Sequence, residues 1–300
     1  MQALKNILVV VGDPAEARYV LEKADILARA TQARLHVVQV IYEGIAELGA
    51  AAIDSTRELK SLILQAAESA LEDTLTAVKA KHPDLESATL WNARQWEGIL
   101  HAAERAQADL VIKGASLHPR FGDIVRTPDD WNLLRRSEIP VMLVKPQAWV
   151  AQPTVLCALD PFDDAHEALS MAVLQEAQAL TRVLGGELVL VVAYPLFEPW
   201  VGQLGAMRNY DEIKRGIEQE IRTRVNRLVA QAGVDFDRLV ADEGQPTQVI
   251  GQLVEETEAE MLVIGTHARE GVTGILLGNT SERLLHAVAT DVVTVHGTPV

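Results

Sequence analysis

The sequence predicts an α/β protein made of two tandem, doubly wound, Rossmann-like domains, each built on a five-stranded parallel sheet and packed with pseudo-two-fold symmetry. Three observations lead there. Four segments of the first half recur in the second, in the same order and at an offset of about 150 residues. Short β-branched runs alternate with longer stretches whose apolar residues fall at helical spacing. The short runs are apolar on both faces, which is the pattern of strands buried between two layers of helix.

The recurring segments set the order of elements. "NILVVVGDPAEA" is echoed by "PTVLCALDPFDDA", and each run ends in Asp-Pro, at Asp13-Pro14 and Asp160-Pro161. "ARLHVVQVIY" is echoed by "GELVLVVAYP", "QWEGILHAAERAQADLVIKG" by "QPTQVIGQLVEETEAEMLVIGT", and "IPVMLVKP" by "TDVVTVHG". In the first copy, strands are expected at Ile7 to Val11, Leu35 to Val40, Leu110 to Lys113 and Val141 to Val144. Helices are expected over "EARYVLEKADILARATQ" and "SLILQAAESALEDTLTAV". In the second copy the strands fall near Val155 to Leu159, Leu188 to Val192, Arg238 to Ala241, Leu262 to Gly265 and Val292 to Val295. The linker is "KPQAWVAQPT", where two prolines and polar residues separate the copies, so the domains are 1–148 and 149–300. A short tether between like domains favours an intramolecular pseudo-dimer joined through the last strands, with a homodimer as a further level of assembly.

Composition narrows the functions. A chain of 300 residues with 48% hydrophobic and 23% charged residues has the balance of an ordinary globular protein, without disordered or fibrous tracts. The net charge of −15 argues against nucleic acid or an anionic membrane as a partner, because most of the surface would repel either. Any phosphate must be held locally, by backbone amides or a few cations. Cys157 is the single cysteine and sits in an apolar run, which fits a reducing compartment and a small buried hydrophobe. The apolar start of the chain is too short to span a membrane and lacks a cleavage pattern after it, so the expected location is cytoplasmic.

The informative stretch is "VIGTHAREGVTGILLGNTSERLL", Val263 to Leu285. It leaves a strand end, passes four glycines and enters a helical pattern. In open α/β sheets, ligands bind beyond the carboxyl ends of the strands. A helix start offers free amides and the positive end of the dipole, and glycine lets a phosphate approach the backbone. This chemistry suits a nucleotide's phosphate tail, yet the spacing is neither that of a Walker loop nor that of the dinucleotide fingerprint.

The stretch resembles the nucleotide signature of the universal stress proteins, G-x2-G-x9-G followed by Ser, Thr or Asn, read here as Gly265, Ala268, Gly278 and Asn279. The resemblance covers the whole chain, and the paired copies together with "TPDDWNLLR" look like the tandem, E-type branch of that family. It implies the adenine-nucleotide-binding version of the Rossmann-like fold and ATP as the ligand. By the same resemblance, Asp160, with Pro161, would lie on the adenine side, and Val192 and Ala193 would line the adenine pocket. Gly265 and Thr266 would sit by ribose and phosphates, Ala268 and Arg269 would begin the phosphate loop, and Gly278, Asn279, Thr280 and Ser281 would cradle the phosphates. Ala268 departs from the signature glycine, and its methyl group is unfavourable if the position needs a positive φ or close phosphate contact.

The first half departs further. Opposite "LLGNTSERLL" stands "VRTPDDWNLL", where Thr127 and Pro128 replace Gly278 and Asn279. Proline removes a donor, and Asp129 and Asp130 suit the helix dipole while repelling phosphate. The expectation is a site lost from the first copy.

Each feature also has a plainer reading. Asn279 and Glu282 match a helix cap and capping box. Asp160 is either an adenine contact or only the turn residue of Asp-Pro. Arg269 is either a phosphate ligand or a solvated charge beside Glu270. His267, His286 and His296 lack metal-ligand spacing. Trp96 and Trp131 either line a cavity or pack an interface. No nucleophile, base and orienting group form a visible motif, so catalysis is expected to be absent or limited to slow ATP hydrolysis with Mg²⁺. The leading expectation is a stress protein that binds an adenine nucleotide in its second domain as a sensor or regulatory module. The alternative is a scaffold or apolar-ligand carrier that has abandoned nucleotide.

Overall fold

The computed structural model of the chain describes residues 4–44, 53–115, 128–194, 210–266, 269–271, 274–276, 283–285 and 287–297. The chain divides into two compact units, Gln2–Ala148 and Trp149–Val300.

The first unit runs β1 (Asn6–Val10), α1 (Pro14–Thr31), β2 (Arg34–Ile41), α2 (Ile53–Lys79), β3 (Glu86–Trp91), α3 (Gln95–Ala106), β4 (Leu110–Gly114), α4 (Pro128–Arg136) and β5 (Val141–Val144). Its strands lie in the order β3-β2-β1-β4-β5, and every pair is parallel. Ile7, Leu8, Val9 and Val10 on β1 are all buried, as are all four residues of β5, which explains runs that are apolar on both faces. β3, "ESATLW", is the strand that the β-branched pattern did not reveal. It pairs only with β2 among the described strands and alternates exposed and half-buried residues, so it carries no continuous apolar run.

The second unit repeats the plan with β6 (Thr154–Ala158), α5 (Glu167–Leu184), β7 (Glu187–Tyr194), α6 (Tyr210–Ala232), β8 (Arg238–Glu243), α7 (Pro246–Thr257), β9 (Met261–Thr266) and β12 (Asp291–His296). The order is β12-β9-β6-β7-β8, again parallel throughout. Each unit is therefore a doubly wound, Rossmann-like five-stranded sheet. The glycine-rich stretch contains a feature that its sequence did not announce, an antiparallel pair of three-residue strands, β10 (Arg269–Gly271) and β11 (Gly274–Leu276).

Handedness assigns the helices to faces. From β6 to β7 to β8 the chain steps in one direction through α5 and α6. From β8 to β9 to β12 it steps back through α7 and the helical residues 283–285. Right-handed crossovers place α5 and α6 on one face and α7 with residues 283–285 on the other. Gly185 ends α5 in the left-handed region at φ 65°, where its own N–H and that of Gly186 close the last turn on Arg182 and Thr181 carbonyls.

Candidate functional site

The carboxyl ends of β6, β7, β9 and β12 meet at one end of the second sheet, because the four parallel strands are neighbours. After β6 the chain turns at Asp160, whose Oδ1 accepts from the Phe162 N–H at 3.1 Å, an Asx turn that accounts for part of the carboxylate. Pro161 is buried. Its carbonyl accepts from Arg224 Nη1 at 3.4 Å, while the guanidinium stacks over Phe162 at 5.1 Å and its Nε donates to Glu220 at 2.7 Å. α6 thus anchors the loop that carries Asp160, a link between distant segments that no local pattern in the sequence signals.

At the end of β7, Val192 is buried and Ala193 lies in register with Asp242 of β8. The next residue, Tyr194, donates its hydroxyl to Glu218 Oε1 at 3.2 Å. Burial first, then the carboxylates of Glu218, Glu243 and Asp242, hold this phenol well above its ordinary pKa, so it stays a neutral donor.

Gly265 and Thr266 end β9. A Cβ on Gly265 would come within 3.0 Å of Leu169 Cδ2 and 3.2 Å of Val173 Cγ2, so the glycine lets α5 lie close on the sheet. Packing alone therefore accounts for a glycine that the sequence suggested for phosphate approach. Thr266, fully buried, donates its hydroxyl to the Val295 carbonyl at 3.3 Å and lies 2.9 Å from His296 Nδ1. Arg269 opens β10, paired with Leu276. Ala268, Gly278, Asn279, Thr280 and Ser281 lie outside the described residues, as do His267 and His286. The structure thus gathers Asp160, Pro161, Val192, Ala193, Gly265 and Thr266 at one sheet end.

At the corresponding end of the first unit, charged side chains are held in buried contacts among the described residues. Asp130, in the first turn of α4, is fully buried and pairs with Lys113 of β4 at 2.7 Å. A Cβ on Gly114 would meet Glu16 Oε2 at 2.6 Å and the Tyr19 hydroxyl at 3.0 Å. Lys23 donates to the Lys145 carbonyl at 2.8 Å in the same buried region. Trp96 and Trp131 are stacked by Arg136 and Arg135, at 4.7 and 5.8 Å, which accounts for both rings by packing.

Other features are poorer candidates. The clefts of about 410 and 330 Å³ lie at the amino ends of strands, bounded by Gln107, Ser137 and Ile139 in the first unit and by Gly186, Asp235 and Asp237 in the second. Cys157 is completely enclosed mid-strand, and burial pushes its thiol far up in pKa, so it is no nucleophile. Among the described residues no group of three or more His, Cys, Asp or Glu is placed to hold a metal ion, and no helix is long and apolar enough to cross a membrane.

A family model described as the universal stress protein family matches residues 3–145 and again residues 153–296. The chain belongs to the universal stress protein family. It is 27% identical over 292 residues to the universal stress protein E homolog of Haemophilus influenzae, covering 94% of each chain. It is also 27% identical over 311 residues to universal stress protein E of Escherichia coli, covering 98% of this chain and 95% of the relative. Two domains in tandem and relatives of this name and length make it an E-type, tandem universal stress protein, in a family of stress-response proteins. Among solved structures it superposes on a universal stress protein of Pseudomonas aeruginosa with a TM-score of 0.74 at 23% identity, covering 98% and 94% of the two chains. A universal stress protein of Archaeoglobus fulgidus gives 0.65 at 17% identity, covering 97% and 98%. These superpositions agree with the tandem Rossmann-like fold.

Proposed function

We propose that this universal stress protein binds ATP or a related adenine nucleotide at the strand ends of its second domain, and that occupancy, not turnover, is its output. The observation that carries the reading is the contrast between two copies of one plan. At the first domain's strand ends lies a buried Lys113–Asp130 ion pair. At the second domain's, Val192, Ala193, Gly265 and Thr266 are small, apolar or hydroxylic and stand beside the carboxylate of Asp160. Side chains of this kind suit an adenine and ribose, and the sequence from Ala268 to Ser281 carries the glycine spacing that suits phosphates. Asp160 and Pro161 border the adenine side, and Arg269 stands at the mouth of the phosphate loop. Mg²⁺, where present, would be held mainly by the nucleotide's own phosphates.

A second reading has its own support. The Asx turn accounts for Asp160 and the contact with Leu169 accounts for Gly265, so a scaffold without nucleotide would keep both. Calorimetric titration with ATP separates the two. The nucleotide reading expects saturable binding to the wild-type chain and none to Gly278→Gln, with circular dichroism and melting unchanged. Equal binding by Gly278→Gln, or no binding by the wild type, favours the scaffold.

A further inference from the structure

The first domain carries a cleft of about 220 Å³ between α3 and the sheet. A Cβ on Gly98 of α3 would meet Val40 at 2.9 Å, so α3 lies on the face that carries Val40 and, by alternation, Val38 and His36. On β3, Glu86, Ala88 and Leu90 stand in register with His36, Val38 and Val40 and share that face. Leu8, Val38 and Leu90 give the cleft an apolar floor, and Ala102 and Ala106 of α3 form its wall. Glu86 and Arg105 are exposed and stand at its rim.

The second domain shows what packing alone asks of this layer. In the aligned copies Leu253 stands opposite Ala102, Thr257 opposite Ala106, Val240 opposite Ala88 and Val189 opposite His36. The register is the same, with Val189 beside Arg238 as His36 is beside Glu86, and both Val189 and Leu253 are buried. The first copy therefore has three alanines and an imidazole where larger or apolar side chains complete the layer in the second. His36 is 16% exposed, and its Nδ1 lies 3.2 Å from Glu86 Oε2. A carboxylate only accepts, so Nδ1 carries the hydrogen, and Nε2 of the neutral ring is an acceptor. Nε2 is buried with no hydrogen-bond partner among the described residues. An unmet buried acceptor is destabilising in a way that the valine of the second copy is not. An apolar cavity of about 150 Å³ already holds benzene, so this cleft has room for one aromatic ring and a hydroxyl.

We propose that the cleft binds a small phenol-like molecule, whose ring rests on Leu8, Val38 and Leu90 and whose hydroxyl donates to His36 Nε2. The site belongs to the first domain and does not rest on the nucleotide reading. The test is ligand-observed NMR titration of the full chain with phenol and toluene, comparing the wild type with Ala102→Leu and His36→Val, which restore the second copy's side chains. Ala102→Leu is expected to weaken both probes at least about tenfold, with the melting temperature unchanged or raised, because the longer side chain fills the ring's space. His36→Val is expected to leave toluene within about twofold and to lower the phenol-to-toluene affinity ratio about fivefold, the scale of one net hydrogen bond. No saturable binding of phenol by the wild type, or binding that survives Ala102→Leu in a folded chain, overturns the site. An unchanged ratio in His36→Val removes the hydrogen bond and overturns the phenol assignment. Should Ala102→Leu melt well below the wild type, the ratio in His36→Val decides alone.

Discussion

A methyl group on Gly265 would press against Leu169 and Val173 at 3.0–3.2 Å, in a layer of α5 and β9 with little room to relax. We expect Gly265→Ala to destabilise the second domain by about 1–3 kcal/mol, measured by urea unfolding, since overpacking forces neighbours off their rotamers. Adding Leu169→Ala should recover part of that loss, a coupling that independent sites would lack. Gly114, the counterpart in the first domain, faces the end of the Glu16 side chain, which can swing aside. Gly114→Ala should therefore cost less than Gly265→Ala, and an equal or larger cost would mean that α1 is held as tightly as α5. The sequence marks Gly265 through its spacing to Gly278, but it cannot show that Leu169 rests on it, because that contact joins residues far apart in the chain. The same limit hides His296 and Arg224, each of which acquires its meaning only from partners on other elements.

At the scale of elements, two charged constructions tie the first domain together. Asp130 in the first turn of α4 and Lys113 on β4 form a buried pair, so removing one partner leaves an uncompensated charge. Asp130→Ala is expected to cost about 3–5 kcal/mol in chemical denaturation, while the apolar double substitution Lys113→Met with Asp130→Leu should cost much less. Equal costs would show that the ion pair itself stabilises the domain. The second construction joins α1 to the end of α2. Burial alone would raise the Asp25 carboxyl, but hydrogen bonds from His82 and Lys81 and the charge of Arg29 outweigh it and hold the group below its ordinary value of 3.8. A carboxyl lowered on folding contributes stability that is present above its unfolded pKa and is lost as pH falls through the folded value. Asp25→Asn should flatten the acid limb of the stability profile below about pH 4 and leave its slope above pH 5 unchanged. A wild-type acid limb in the variant would remove Asp25 from the account. "PDDW" announces a helix start hostile to phosphate, yet no local pattern links Asp130 to Lys113. The β3 strand is hidden because an edge strand needs no unbroken apolar run, and β10 and β11 because three residues carry no period.

Over the whole molecule, duplication is the most legible property, because buried parallel strands impose the same apolar runs on both copies. The two sheets share one strand order, β3-β2-β1-β4-β5 and its counterpart β8-β7-β6-β9-β12. What the repeat does not dictate is the chemistry at each sheet end, where one copy carries the buried Lys113–Asp130 pair and the other Val192, Ala193 and Thr266. On the proposed reading, function attaches to one domain and not to the fold. The proposed stoichiometry is one adenine nucleotide per chain, bound in the second domain. Native mass spectrometry of the full chain titrated with ATP tests it most directly, by counting the nucleotides retained on the wild type and on the Gly278→Gln variant. We expect one per chain on the wild type and none on the variant; two per chain, or one that survives Gly278→Gln, would contradict the account.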